Sequence, residues 1–491
     1  MRTLPAPPTT PLPDGFRVRL TARRHPGGVL ESSLRPAVVR TAPAVHVVLE
    51  HDQVQVGRHA DAHLVRRLME LDAAVPCPRD GAGSPDLSEL TVVIPVRDRP
   101  GPLGRLLQRL TLAGQSSSPG PRVLVVDDAS ADPAGIDRAC RTHGAGLLRL
   151  PVNRGPAGAR SAGLAAATTP YVALVDSDVT LGVEDLARLL GELADPRVAV
   201  AAPRVLAATA PAAHPVIRYD QRWGALDLGP AGGLAGPGRP VSYVPTACWV
   251  GRTQVLLDGF DDALRVGEDV DLAWRLTDRG WWVRYVPEVT VRHASRPGLR
   301  PWWDQHAGYG ESAGPLARRH GAYLAPARYT AAGLAVAVSL LAPAPWAALV
   351  TPGVHAVTLV RLHRRLAPLG LPFRTVLRLA AAGTRANLEQ SAGLVCRYWF
   401  WPLLLTAPAS ATVRRLLLRA VVLDAALRLR HPADLVLVGL RVLENAAFAW
   451  GTLRGVVRGG SIRAVVPVLV GARRNRKPAG RPPEAQPAGR R

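Results

Sequence analysis

The sequence predicts an α/β fold: an open, mostly parallel sheet in the middle of the chain, a small α+β unit before it, and a helical, apolar and basic region after it. Two observations carry this expectation. Between Leu90 and Val175, short β-branched runs alternate with helix-period segments, the pattern of a parallel sheet covered by helices. Beyond about Arg328, acidic residues become rare while arginines and long apolar stretches persist. At 491 residues the chain also exceeds one core, because single cores stop growing at roughly 250–300 residues.

The elements follow in order. Residues 1–15 are rich in Pro and Thr and lack an apolar run, which predicts a flexible N-terminus and no secretory leader. In residues 16–85, Arg17–Leu20, Ala37–Arg40 and Val45–Leu49 read as strands and Ala60–Leu71 as a helix; the Gly- and Pro-containing segment Pro76–Pro85 reads as a linker. Residues 86–328 form the main unit. Its strands are Leu90–Ile94, Arg122–Val126, Leu147–Leu150 and Tyr171–Val175, and Leu103–Leu112 and Ala157–Ala167 have helical periodicity. Within residues 329–472, Thr330–Val354 carries no charge and is long enough to cross a hydrocarbon core, although Pro343, Pro345 and Pro352 interrupt it. Tyr398–Val413 opens with the interfacial aromatic cluster Tyr398-Trp-Phe-Trp401. Arginines flank both stretches on both sides, so topology stays open, as does a soluble helical domain. Residues 473–491 form a basic, Pro-rich tail with a disordered composition.

The formal charge of +23 would ordinarily point to nucleic acid or an anionic membrane surface. Almost all of it is arginine, with Lys477 the only lysine, and Ala, Pro and Gly are abundant; coding bias accounts for most of the charge. No helix-turn-helix, zinc or aromatic-basic module is visible, so nucleic acid is not expected as a partner. The four cysteines, Cys77, Cys140, Cys248 and Cys396, have neither metal-ligand spacing nor disulfide density, which suits a reducing cytosol.

Three constellations carry chemistry. Asp176-Ser177-Asp178 ends the strand Tyr171–Val175; two carboxylates there suit a divalent cation, Mg2+ or Mn2+, that also takes phosphate oxygens. Asp127-Asp128 likewise follows a β-branched run, so neighbouring strands could deliver four carboxylates to one crevice, where a cation would relieve their repulsion; Asp128 could equally cap a helix. Asn153 to Gly163 is a glycine-rich helix entry whose free amides suit an anion, with Arg160 as a charged donor. Gly267-Glu268-Asp269-Val270-Asp271 places three acids at a helix N-terminus, more than a cap needs, and one of them is suited to act as a general base.

The ordered set Val93-Ile-Pro95, Val125 to Asp128, Asn153 to Arg160, Val175 to Asp178 and Gly267 to Asp269 resembles family 2 glycosyltransferases with the GT-A fold, over about Leu90 to Pro301. The resemblance implies a Rossmann-like sheet and an inverting transfer from a nucleotide-diphospho-sugar. It implies that Pro95, Val96 and Asp128 contact the nucleotide base, Asp176 the ribose or metal, and Asp178 the metal. Asp269 would be the base, with Glu268 beside it, and His293 a further metal or diphosphate contact. A narrower resemblance, through Tyr243 to Trp249, Gly280 to Tyr285 and Tyr309 to Leu316, is to the glycosyltransferases of mycofactocin biosynthesis in actinobacteria. It implies a UDP-sugar donor and a peptide-derived acceptor; the arginine-flanked apolar stretches beyond Arg328, attracted by anionic headgroups, predict a place on the cytoplasmic face of the cell membrane. The N-terminal unit resembles winged-helix peptide-recognition domains. A transferase of lipid or envelope saccharides is the alternative; the Gln-x-x-Arg-Trp motif of processive synthases is missing, Gln305 being followed by His306-Ala-Gly.

Overall fold

The computed structural model describes residues 4–34, 37–77, 85–112, 120–208, 214–257, 259–341 and 347–470. At its centre lies a nine-stranded sheet of β1 (Leu90–Val96), β2 (Arg122–Asp127), β3 (Gly146–Arg149), β4 (Tyr171–Val175), β5 (Val179–Thr180), β6 (Val198–Ala207), β7 (Gly233–Ala235), β8 (Cys248–Arg252) and β9 (Trp282–His293). Their order is β5-β9-β6-β8-β4-β1-β2-β3, with β7 also on β9. β1 and β4 arise from runs that bury almost every side chain, because helices cover both faces; β2 is buried toward its carboxyl end, and the edge strand β3 stays partly exposed. Helices α1 (Pro100–Leu112), α2 (Pro133–His143) and α3 (Gly155–Ala166) make the crossovers. α2 starts where Asp132 accepts from the Gly135 amide at 3.0 Å and Pro133 presets the first turn, and it stops at left-handed Gly144. α3 lies close on the sheet because Gly163 has no side chain: a Cβ there would sit 2.2 Å from Val93.

The sheet is mixed rather than mostly parallel. Ladders β4-β1, β1-β2, β2-β3 and β6-β9 are parallel, but β8 runs antiparallel to both β4 and β6, and β5 and β7 are antiparallel to β9. β4 and β6 share a direction because α4 (Val183–Gly191) returns the chain between them. β8 enters instead from the irregular stretch after α5 (Pro215–Trp223), with no helical crossover to reverse it.

The N-terminal unit has two small antiparallel sheets, Gln53–Gln55/Arg17–Leu20/Ala74–Pro76 and Arg23–His25/Val29–Glu31/Val38–Arg40, and the helix Ala62–Glu70, capped by Asp61. It lacks, among the described residues, the second long helix of a winged helix. Val45–Leu49 is not a strand. Pro43 starts a helical turn, Pro43–His46, and a 3-10 turn over Val48–Glu50 buries the adjacent Val48 and Leu49, where a half-buried strand would have alternated. Residues 4–15 are not free either: Leu4 and Leu12 are buried and Trp281 donates to the Pro5 carbonyl at 2.7 Å. Most of the expected linker, residues 78–84, lies outside the described residues. The unit shares one hydrophobic core with the central sheet, and Arg66–Asp195 (2.9 Å), Arg197–Glu70 (3.2 Å) and Arg239–Asp72 (3.1 Å) tie it down.

After α6 (Glu268–Asp278) and β9, helices α7 (Leu299–Glu311) and α8 (Ala313–His320) lead into α9 (Ala331–Leu341), α10 (Ala347–Leu366), α11 (Phe373–Gly393), α12 (Phe400–Thr406), α13 (Ala411–Arg428) and α14 (Val438–Gly459). α14 docks on α7 and α8 through bare backbone. A Cβ on Gly314 would lie 1.8 Å from the Gly455 carbonyl oxygen, and one on Gly451 1.8 Å from that of Ala307, a close approach that small residues at every fourth position permit. A buried polar lock adds to it: Tyr219 donates to Glu444, and Arg222 grips Asp434 with two bonds of 2.8 Å.

Of the two apolar stretches, the second is not a single helix. α9 ends at Leu341 and α10 begins at Ala347, with 342–346 outside the described residues, and Tyr398–Val413 is divided among a π-helical turn (Leu394–Tyr398), α12, a 3-10 turn (Ala407–Ala409) and α13. Among the described residues, the one helical stretch with the length and hydropathy to cross a membrane is Asp434–Gly459, and half of its most apolar part is buried against protein. The basic tail 473–491 also lies outside the described residues.

Candidate active site

The carboxyl ends of β1, β2 and β4 open on a single cleft of about 1080 Å³. Pro95 and Val96 line it from the end of β1. Asp128, one residue past β2, accepts hydrogen bonds from the amides of Arg154 (2.7 Å) and Gly155 (2.9 Å). It therefore holds the N-terminus of α3, where the dipole favours a negative charge. Asp127 faces away from the cleft: it is fully buried and accepts from Ser130 N and Arg149 Nε, each at 3.0 Å. Four carboxylates do not converge, because β1 separates β2 from β4 and Asp127 is committed elsewhere.

Asp176 and Asp178 follow β4. The amide of Asp176 donates to the Ala247 carbonyl at 3.0 Å, and the Asp178 carbonyl accepts from Ala294 at 3.1 Å, which presses this turn against the end of β9. There His293 Nε2 lies 3.2 Å from the Asp178 carboxylate, which also takes a bond from Arg99. Burial alone would raise the Asp178 carboxyl, but the hydrogen bond and charge of His293, with Arg99, outweigh it and hold it at about 2. Burial lowers the His293 imidazole, and Asp178 more than reverses this, so that its pKa is raised. One ligand atom from each of Asp176, Asp178 and His293 falls within 4.8 Å of the others; two hard oxygens and an imidazole nitrogen at that spacing fit a divalent cation.

Arg160 joins this group to α6. Projecting from α3 and 4% exposed, it donates to Asp176 and to Glu268, each at 2.7 Å. Its charge is therefore engaged by two carboxylates rather than left open to a phosphate. Gly267 adopts a left-handed conformation before α6, and the next two residues enter the cleft. Asp269 accepts from the Val270 amide at 2.8 Å. Burial first, then the charge of Glu268, push its carboxyl up to about 7. Asp271 is excluded from the cleft: buried, it binds Arg275 at 2.7 Å and His320 at 2.9 Å, and so anchors α6 to α8.

Pro95, Val96, Asp128, Arg160, Asp176, Asp178, Glu268, Asp269 and His293 thus line one cleft. The sequence reading passed over several neighbours. Arg99 faces Asp178, and Arg397, Tyr398, Glu444 and Phe448 bring the C-terminal helices to the same cleft. No motif marks these residues; the signal that could have found the contact is the spacing Gly451-x-x-x-Gly455-x-x-x-Gly459.

The glycosyl transferase family 2 model matches residues 91–255. Over 478 residues, 94% of this chain and 99% of the relative, the sequence is 37% identical to a pre-mycofactocin glycosyltransferase of Mycobacterium tuberculosis. The chain belongs to glycosyl transferase family 2. It is a glycosyltransferase built on a mixed central sheet. A 70-residue stretch, 14% of this chain and 20% of the relative, is 44% identical to the succinoglycan biosynthesis protein ExoO of Rhizobium meliloti. Among solved structures, a mannosyltransferase of Pyrobaculum calidifontis in complex with GDP-Man and Mn2+ is similar with a TM-score of 0.41 and 21% identity, over 77% of this chain and 90% of that one.

Proposed function

We propose that this transferase moves a hexose, glucose from UDP-glucose, onto the peptide-derived redox cofactor mycofactocin or its precursor, by a single inverting displacement. The observation that carries the chemistry is the meeting in one cleft of a half-buried, elevated carboxyl, Asp269, and the Asp176/Asp178/His293 set, joined through Arg160, Asp176 and Glu268. The acceptor follows the name of the M. tuberculosis relative, which is similar over nearly its whole length.

In this mechanism Pro95, Val96 and Asp128 frame the nucleotide, while Asp176, Asp178 and His293 would hold Mg2+ or Mn2+. Such a cation, when bound, neutralises charge that develops on a leaving diphosphate. Asp269 takes the proton of the acceptor hydroxyl as that oxygen bonds to the anomeric carbon and the bond to the diphosphate breaks. A carboxyl raised to about 7 is a stronger base than an ordinary carboxylate and is still substantially ionised near neutrality. Glu268, fixed by Arg160, sustains that elevation and orients the acceptor. One displacement inverts the anomeric centre.

The same reading places the enzyme on the cytoplasmic face of the cell membrane. The exposed large apolar side chains concentrate beyond Arg328, among them Leu405 (79%), Val436 (68%) and Val457 (82%), in a region rich in arginine. Apolar burial combined with attraction to anionic headgroups favours interfacial binding. Full-length protein that stays wholly soluble with anionic vesicles at physiological salt would contradict it.

The test of function is incubation with a panel of nucleotide sugars and the extracted cofactor precursor, read by mass spectrometry. Hexose addition from UDP-glucose is expected; transfer only to a lipid-linked or envelope saccharide would replace the acceptor, and no transfer to either would overturn the reading.

A further inference from the structure

Part of the cleft has no role in the chemistry above. Tyr243, Tyr309, Tyr398 and Phe448 line it, coming from four parts of the chain: the stretch before β8, α7, the π-helical turn and α14. Tyr398 and Phe448 meet edge to face with centroids 5.6 Å apart, and the Arg397 guanidinium lies 4.2 Å from the Phe448 centroid. The π-helical turn widens the helix locally, a distortion common at functional sites, and both of its last residues, Arg397 and Tyr398, reach the cleft.

Two features say what this wall suits. The phenol of Tyr309 accepts from Gln305 at 2.8 Å, whereas the hydroxyls of the half-buried Tyr243 and Tyr398 have no hydrogen-bond partner among the described residues. The guanidiniums at this end are held in ion pairs: Arg397 with Glu444 at 3.6 Å, Arg441 with Asp424 at 2.7 Å and with Glu444, and Arg428 with Asp424 at 3.5 Å. An aromatic wall with free hydroxyls, beside guanidiniums that are each already held by a carboxylate, fits an uncharged ring with a polar edge. The wall shares its cleft with the base, and the charge of Asp269, after burial, raises the phenol of Tyr243.

Resting on the glycosyl-transfer reading, we propose that Tyr243, Tyr398 and Phe448 form the acceptor subsite, and that the acceptor lays an uncharged, flat ring face on this wall while its hydroxyl reaches Asp269. The ring has two sources, an aromatic ring of the unglycosylated acceptor or the apolar face of a sugar already attached. The C-terminal region thereby selects the acceptor, and the family 2 core handles the donor.

The experiment is steady-state kinetics of the full chain with UDP-glucose and two acceptors, the unglycosylated precursor and its mono-glycosylated form. Tyr398→Leu and Phe448→Ala are expected to raise the acceptor KM about tenfold, with the KM for UDP-glucose changed by less than about twofold. Tyr398→Phe keeps the ring and recovers most of the loss. If Tyr398→Leu does not fold, Tyr243→Phe, which removes only a hydroxyl, keeps the test decisive, with an expected acceptor KM increase of about threefold. An effect confined to the precursor assigns the ring to it, and one confined to the mono-glycosylated form assigns it to the sugar; both support the subsite. Folded variants with unchanged KM for both acceptors overturn it while leaving the transfer reading intact. A wild-type enzyme inactive on both acceptors overturns that reading, and the acceptor assignment with it.

Discussion

Replacing Arg160 with Met isolates the residue that holds the two halves of the site together. The side chain is 4% exposed and bonds both Asp176 and Glu268 at 2.7 Å. Removing one partner of a buried charge group costs about 3–5 kcal/mol. The Asp176 side chain is 27% exposed, so water screens its share and the lower end, about 3 kcal/mol, applies. For a domain of this size each kcal/mol moves Tm by about 2–4 °C, so a fall of roughly 6–12 °C is expected in thermal unfolding. Arg160 also lowers the Asp269 carboxyl, so the pH midpoint of residual turnover moves upward. A fall of less than about 2 °C near pH 8, or an unmoved midpoint, would refute this account of Arg160.

Three further outcomes are expected. Asp178→Asn removes divalent-cation stimulation and lowers transfer at least about a hundredfold; undiminished wild-type transfer in excess chelator would contradict the metal assignment. Turnover of the wild type falls about tenfold per pH unit below about 7, because the Asp269 carboxyl, raised to about 7 by burial and then by Glu268, must be ionised to act. That same elevation makes the folded carboxyl hold its proton more tightly than the unfolded one, near 3.9; its stabilising contribution is present at acid pH and lost as pH climbs through about 7. In Gly455→Ala the new Cβ would sit 2.3 Å from the Glu311 carbonyl oxygen; overpacking there costs about 1–3 kcal/mol, and limited proteolysis should show α14 released from α7.

The strands legible in the sequence were those whose runs are β-branched and flanked by helix-period segments; β1, β2, β3 and β4 lie within two residues of expectation. β6, β8 and β9 were not read. The alanine-rich Val198–Ala207 and the aromatic Cys248–Arg252 carry no alternation, since both faces are buried, and without them the antiparallel half of the sheet was invisible. The acids of the site were legible because strand ends and a helix N-terminus fix where they emerge, although their partners were not. That Arg160 spans Asp176 and Glu268, and that Asp127 and Asp271 turn inward, depends on rotamers and on elements far away in the chain. Arg397, Tyr398 and Phe448 reach the cleft only because glycine-faced helices let α14 approach α7 and α8 at backbone distance.

The most direct test of the central claim is the turnover of Asp269→Asn with UDP-glucose and the precursor, measured beside UDP binding by calorimetry and Glu268→Gln as the comparison. Asparagine preserves the size of the side chain and removes its basic oxygen. The account predicts UDP affinity within about twofold of wild type, turnover lower by at least about two orders of magnitude, and a product of inverted anomeric configuration from the wild type. Near wild-type turnover in Asp269→Asn with loss in Glu268→Gln would transfer the base to Glu268, and retained configuration would contradict the single displacement itself.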